Sequence, residues 1–177
     1  MKKRTRKDGI RAIGALLATL AVILLPAVLQ PAAANGAASH EGAGDFREVM
    51  GKEWILAEIR IGSSGGSIIM DRHKLEAENM GGVYTASFNE SQISGMGAPN
   101  RYFAPYTVGS NKSLSIKTIA STMMLAFREP EGLKESEYIK YLSQVVRWDL
   151  KDGKLELFSS NGTMNESTLV FNEIHGD

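Results

Sequence analysis

Gly95-Met96-Gly97-Ala98-Pro99-Asn100-Arg101-Tyr102-Phe103-Ala104-Pro105-Tyr106 is the stretch on which the reading of the chain turns. Gly95, Gly97, Ala98 and Pro99 interrupt an extended run, a place where the backbone needs positive φ or a close approach. Asn100 follows, and then the aromatics Tyr102, Phe103 and Tyr106, with Pro105 between them. Downstream, Leu114, Ile116 and Thr118 alternate with Ser115, Lys117 and Ile119, the period of a strand. That strand runs into Ala120-Ser121-Thr122-Met123-Met124. The stretch predicts a strand, a sharp glycine turn, an aromatic-rich strand and a further strand. By themselves these residues carry no nameable chemistry.

Strand signals continue on both sides. Residues 54–61 put Ile55, Ala57, Ile59 and Ile61 on one face and Glu58 and Arg60 on the other, as a half-buried strand does. Gly62-Ser63-Ser64-Gly65-Gly66 is a flexible turn before a short extended run at 67–70. A phosphate-cradling loop would need a following Lys-Ser/Thr and a helix, and neither is there. Residues 71–82 are polar and read as a solvated loop. Their Asp71, His73, Glu76 and Glu78 fit neither calcium-loop nor zinc-site spacing. Tyr84, Ala86 and Phe88 alternate with polar residues as another strand. Beyond the central stretch, Pro130 and Gly132 precede a helix opened by Glu135, Ser136 and Glu137, whose acids suit the positive end of its dipole. Tyr138, Tyr141, Leu142 and Val145 form its apolar stripe, read as core-facing. Residues 148–150, an Asp152-Gly153 turn and residues 154–158 predict a hairpin. Residues 168–171 are the last strand.

The same positions resemble a known family. The pattern S-G-x-x-G-C-N-x-Y-x-x-x-Y followed by L-x-I-x-x-I-A-x-T-R-M-A-C is similar to that of the META domain, the HslJ-like family of bacterial envelope proteins. Here it stands as Ser94-Gly95-Met96-Gly97-Ala98-Pro99-Asn100-Arg101-Tyr102 and Leu114-Ser115-Ile116-Lys117-Thr118-Ile119-Ala120-Ser121-Thr122-Met123-Met124. Gly51-Lys52-Glu53-Trp54-Ile55-Leu56 resembles the family's opening G-x-x-W-x-L, and Gly153-Lys154-Leu155-Glu156-Leu157 its late G-x-L-x-L strand. The resemblance spans roughly residues 51–171. It implies a structural role for Trp54, Gly95, Gly97, Asn100, Tyr102, Tyr106 and Thr122, with no catalytic, cofactor-binding or metal-binding residue. It also implies that relatives often carry cysteines where this chain has Pro99 and Ala126.

The chain begins with Lys2, Lys3, Arg4, Arg6, Lys7 and Arg11, an apolar run at 12–25, and Pro31-Ala32-Ala33-Ala34. Basic, apolar and small-residue segments in that order predict a cleaved signal peptide over 1–34. An uncleaved anchor is the competing reading, against which Pro26 and the alanine-rich exit argue. Residues 35–50 are then a flexible tether and 51–174 the folded domain. With no cysteine, the chain has no site for lipid attachment at that residue and no disulfide. Without residues 1–34, 14 basic residues face 19 acidic ones, a net charge of −5. A mildly acidic domain has no electrostatic footprint for nucleic acid and no strong affinity for an anionic membrane surface.

Catalytic constellations are wanting. His40 falls in the tether and His175 near the end, which leaves His73 as the sole candidate base for a nucleophilic hydrolase. No G-x-S-x-G elbow occurs, and no βαβ unit surrounds the glycines at 95 and 97. The eight methionines, with Met123 and Met124 adjacent, raise copper, but no spaced Met/His array supports it. Methionine is the usual core filler. The fold expected from these elements is α+β, mainly antiparallel, and the resemblance to META domains implies a curved half-open barrel with one main helix packed on it. By resemblance, the function is that of a non-enzymatic exported envelope protein linked to stress tolerance, periplasmic or secreted, without cofactors. The alternative is a binding module that holds an apolar ligand or lipid tail in the barrel mouth, or a chaperone-like pilot for another envelope protein. A large apolar cavity beneath the helix would favour ligand binding; a filled core would favour action at the surface.

Overall fold

The computed structural model describes residues 46–62, 65–125, 128–160, 162 and 166–175. The expected leader, most of the expected tether and Ala126 lie outside them. Among the described residues no helix is long and apolar enough to cross a membrane.

Strand β1 (Glu53–Ile61) is the one on which the sheet is built. One of its edges pairs antiparallel with β10 (Glu166–Ile174) along its whole length. Its other edge takes β3 (Thr85–Phe88) near the start and the short β2 (Ser67–Ile69) near the end. From β3 the sheet continues through β4 (Gln92–Met96), β5 (Arg101–Val108) and β6 (Leu114–Ile116), with β7 (Ala120–Ser121) also paired to β5. From β10 it continues through β9 (Lys154–Ser160) to β8 (Val145–Lys151). The two ends meet at a bridge between Ser113 and Arg147 and at a 3.0 Å bond from the Trp148 N–H to the Lys112 carbonyl. The result is an antiparallel, nearly closed barrel. The hairpin between β8 and β9 turns at Asp152 (φ 52°) and Gly153 (φ 72°), the doubly positive pair that matches the twist of its strands.

Among the described residues two helices complete the α+β fold. Helix α2 (Glu135–Ser143) buries Tyr138 and Leu142 against the barrel, while Val145 already belongs to β8. Helix α1 (Arg72–Ala77) corrects the solvated loop expected at 71–82. The Asp71 side chain accepts from the Lys74 N–H at 3.1 Å as its N-cap, and Leu75 is buried. Arg72 turns inward rather than into water, donating to the Leu56 and Val83 carbonyls.

Two more expectations need correction. In the first half of β1 the inward residues are Trp54 and Leu56, not Ile55 and Ala57. A bulge between Leu56 and Glu58 inserts one residue, so the parity switches and Ile59 points inward as expected. The packed domain also begins before residue 51. Residues 46–50, assigned to the tether, form a turn in which the Val49 and Met50 N–H groups bond to the Phe46 carbonyl. Phe46 and Val49 are fully buried.

The barrel is filled by aromatic rings in two layers. Near the ends of β3 and β5, Phe46 packs on Phe88, Tyr106 and Trp148 with centroids 5.2, 5.5 and 4.8 Å away. Near their starts, Tyr138 packs on Tyr84 and Tyr102 at 4.9 and 5.9 Å.

Candidate functional site

The motif residues divide into a polar knot, a tyrosine layer and two remote anchors. The knot forms where β4 turns into β5. Asn100, almost wholly buried, uses its whole side-chain amide. Its Oδ1 accepts from the Thr122 hydroxyl at 2.8 Å and the Met124 N–H at 2.7 Å. Its Nδ2 donates to the Met124 carbonyl at 3.2 Å and to Glu135 Oε1 at 2.9 Å. Glu135 Oε2 in turn accepts from the N–H groups of Ala98 and Asn100, at 2.6 and 2.8 Å. One amide and one carboxylate thus fasten the turn, residues 122–124 and the start of α2 together. Such side chains substitute for missing strand partners in an irregular backbone.

Gly97 is required by the knot, because a Cβ there would lie 2.8–2.9 Å from the Glu135 side chain. Gly95 belongs to the next layer, where a Cβ would come within 2.0 Å of the Thr85 carbonyl oxygen. Neither glycine has positive φ, so of the two expected reasons close approach is the one that applies. Gly65, by composition a loose turn, is tight as well, with its Cβ position 2.3 Å from the Ile61 carbonyl oxygen. Gly82 has open space and is the better control. Gly95→Ala should lower stability by about 2–3 kcal/mol, against less than about 0.5 kcal/mol for Gly82→Ala. Denaturant unfolding measures both, and equal tolerance would contradict the close approach.

The Thr85 carbonyl gathers the second layer. It accepts from the Tyr102 hydroxyl at 2.7 Å and the Tyr138 hydroxyl at 3.0 Å, and these hydroxyls lie 3.2 Å apart. Tyr84 donates to the Leu133 carbonyl. Burial raises the ionisation of Tyr84, Tyr102 and Tyr138 above the ordinary tyrosine value of about 10. The neutral form is therefore favoured in the native state. Their contribution to stability is complete below pH about 10. It is lost as the pH rises through the raised native values, because the unfolded chain ionises first. Alkaline titration followed by phenolate absorbance should show a late, cooperative step coincident with unfolding; smooth titration near pH 10 of all five tyrosines would contradict it.

Arg72, missed by the sequence reading, is held at the bulge of β1. Burial pulls its ionisation down to about 10, which leaves it a cation at neutral pH. Its two carbonyl acceptors tie α1 to β1 and to the segment before β3. Trp54 and Tyr106 stand apart from the knot. The Trp54 indole donates to the Val49 carbonyl at 3.0 Å, and the Tyr106 hydroxyl to the Asn89 carbonyl at 2.5 Å. Ala126 is outside the described residues; Asn100 and Met124 are direct neighbours.

Beside the knot lies an open groove of about 370 Å³, walled by Met80, Val83, Met96, Ala98, Pro99 and Met124. Asn79 and Arg128 provide polar groups, and Arg128 pairs with Glu78 at 3.5 Å. Because Asn100 grips both the N–H and the carbonyl of Met124, the flanking side chains Met123 and Leu125 point outward, 97% and 94% exposed. Met123 is therefore not the core filler the sequence suggested. Nothing in residue spacing announced this groove, since its walls come from three segments far apart in the chain.

The family model described as META domain matches residues 48–172, and the chain belongs to that family. No curated protein matches it. An NMR structure of a protein from Burkholderia xenovorans is similar, with 21% identity, a TM-score of 0.57, and 75% of this chain and 88% of that one covered. A crystal structure of a duf4847 family protein from Bacteroides vulgatus is similar too, with 11% identity and a TM-score of 0.51. There the coverage is 76% of this chain and 100% of that one. At such identities the likeness is one of fold.

Proposed function

We propose that this META domain is exported and acts in the cell envelope, without catalysis, by binding apolar polypeptide segments at its surface in the service of stress tolerance. The groove beside Asn100 carries this reading. Its walls are methionine, valine, alanine and proline, and Met123 and Leu125, which flank Met124 in the chain, are exposed as well. Exposed apolar surface of this kind has a cost in water that a partner removes. Flexible thioethers repack around differing side chains, which suits a binder of varied segments. The site is open, so an extended segment can lie along it, whereas a lipid tail needs enclosure to leave water. Asn100, Glu135, Tyr102 and Tyr138 are all engaged in holding the backbone, which supports a role without catalysis.

The test is fluorescence anisotropy with labelled, extended apolar peptides. Binding to the wild type is expected, and Met124→Glu, at a side chain 58% exposed, should weaken it at least about tenfold without changing the fold. Equal binding by the variant, or none by the wild type, overturns the reading. For export, protein recovered from the envelope fraction should lack residues 1–34; recovery with Met1 intact would contradict cleavage.

A further inference from the structure

The groove has a chemical property that an apolar wall does not require. Three of its side chains are thioethers, Met80, Met96 and Met124, and Met123 adjoins Met124 in the chain. Leucine would supply the same hydrophobicity without sulfur. Met123 and Met124 are 97% and 58% exposed, and Met80 and Met96 are half-buried at the groove. Met70, by contrast, is sealed in the core at 6%. The chain has no cysteine to intercept an oxidant first. Three of its eight methionines thus line one accessible groove, with the exposed Met123 next to Met124 in the chain.

Resting on the binding function above, we propose that Met80, Met96, Met123 and Met124 form an oxidant-sensitive cluster whose conversion to sulfoxides by peroxides closes the groove to apolar segments. In each step a sulfur lone pair attacks one oxygen of hydrogen peroxide. The S–O bond forms as the O–O bond breaks, and the other oxygen leaves as water with both protons. Sulfur loses two electrons and the peroxide is reduced. The product is a polar, hydrogen-bond-accepting sulfoxide in place of a flexible apolar side chain. A wall of sulfoxides holds water, so an apolar segment would have to displace that water without replacing its hydrogen bonds. The change is reversible by methionine sulfoxide reductases, which return the thioether.

The test treats the purified full-length protein with graded hydrogen peroxide and locates oxygen by peptide mass spectrometry. Met123 and Met124 should gain oxygen first, Met96 and Met80 next, and Met70 only once the domain unfolds. The oxidised protein should bind the labelled apolar peptide at least about tenfold more weakly. Reductase treatment should restore binding. A variant carrying Met80→Leu, Met96→Leu, Met123→Leu and Met124→Leu should bind equally before and after peroxide. Should that variant fail to fold, Met123→Leu with Met124→Leu alone takes its place and should lose less binding than wild type. Oxidation of Met70 as fast as Met124 overturns the cluster. Unchanged binding by oxidised wild type, or equal loss in the leucine variant, overturns its effect. If untreated protein does not bind the peptide, the binding function falls and the effect with it, while the order of oxidation still decides the cluster.

Discussion

Replacing Trp54 by alanine should lower the unfolding free energy by about 3–5 kcal/mol, the range for truncating a large buried aromatic ring. The side chain is fully buried and lies on the inward face of the strand that joins both halves of the barrel. Its indole N–H is the donor for the Val49 carbonyl. The substitution therefore opens a cavity and removes the bond that holds the turn at 46–50 in place. That turn carries Phe46, whose ring touches Phe88, Tyr106 and Trp148. Damage at Trp54 is transmitted to the whole apolar layer. Trp54→Phe separates the two contributions, because it keeps most of the ring and loses the hydrogen bond, with an expected cost of about 1–2 kcal/mol. Chemical denaturation at neutral pH measures both. A change below about 1 kcal/mol for the alanine variant would show that the turn at 46–50 is peripheral.

How legible the fold was depended on whether local pattern and tertiary contact agreed. The β8–β9 hairpin was readable because alternation and the Asp152-Gly153 turn point the same way. Helix α1 was not, since its six residues place only Leu75 in the core and show no apolar stripe. Its anchors, the Asp71 cap and the inward Arg72, are individual bonds rather than a periodicity. The facing of β1 was misread for a similar reason. The bulge after Leu56 arises from register with β10, and Glu53-Trp54-Ile55-Leu56-Ala57-Glu58-Ile59 alternates plausibly either way. The burial of Phe46 and Val49 was lost among small polar neighbours in the sequence.

The candidate site divides in the same manner. Asn100, Tyr102, Thr122 and the glycines at 95 and 97 stood out as a motif, and the structure gives each a partner in the knot or the tyrosine layer. Glu135 was read only as a good first-turn residue of a helix. Its second role depends on a turn 35 residues earlier in the chain, which no helical pattern encodes. The methionine groove is an extreme case. Met80, Met96 and Met124 are too far apart in sequence to form an array, and only the return of residues 120–124 along β5 brings them together.

Glu135→Ala should cost about 3–5 kcal/mol, as expected when one carboxylate is removed from several donors that stay buried. The Ala98 and Asn100 N–H groups would lose their acceptor, and Asn100 Nδ2 would lose one of its two. Water can reach some of them, because Glu135 is itself half-buried, so the three losses do not add in full. A competing account gives Glu135 nothing beyond its place at the positive end of α2, an effect of about 0.3–1 kcal/mol. Glu137 decides between them. It shares the first turn of α2 and caps the Lys134 N–H at 3.0 Å, yet takes no part in the knot. Glu137→Ala should cost about 1 kcal/mol or less. If the two variants are equally mild, the carboxylate of Glu135 acts only through the helix end. A double-mutant cycle of Glu135→Ala with Asn100→Ala should then give a coupling near zero, instead of the roughly 1–3 kcal/mol expected of groups in one network. The knot also sets the position of Met124, since Asn100 holds both its backbone groups. Loosening Asn100 by removing Glu135 should accordingly weaken peptide binding at the groove under conditions where the variant remains folded, an effect Glu137→Ala should not share.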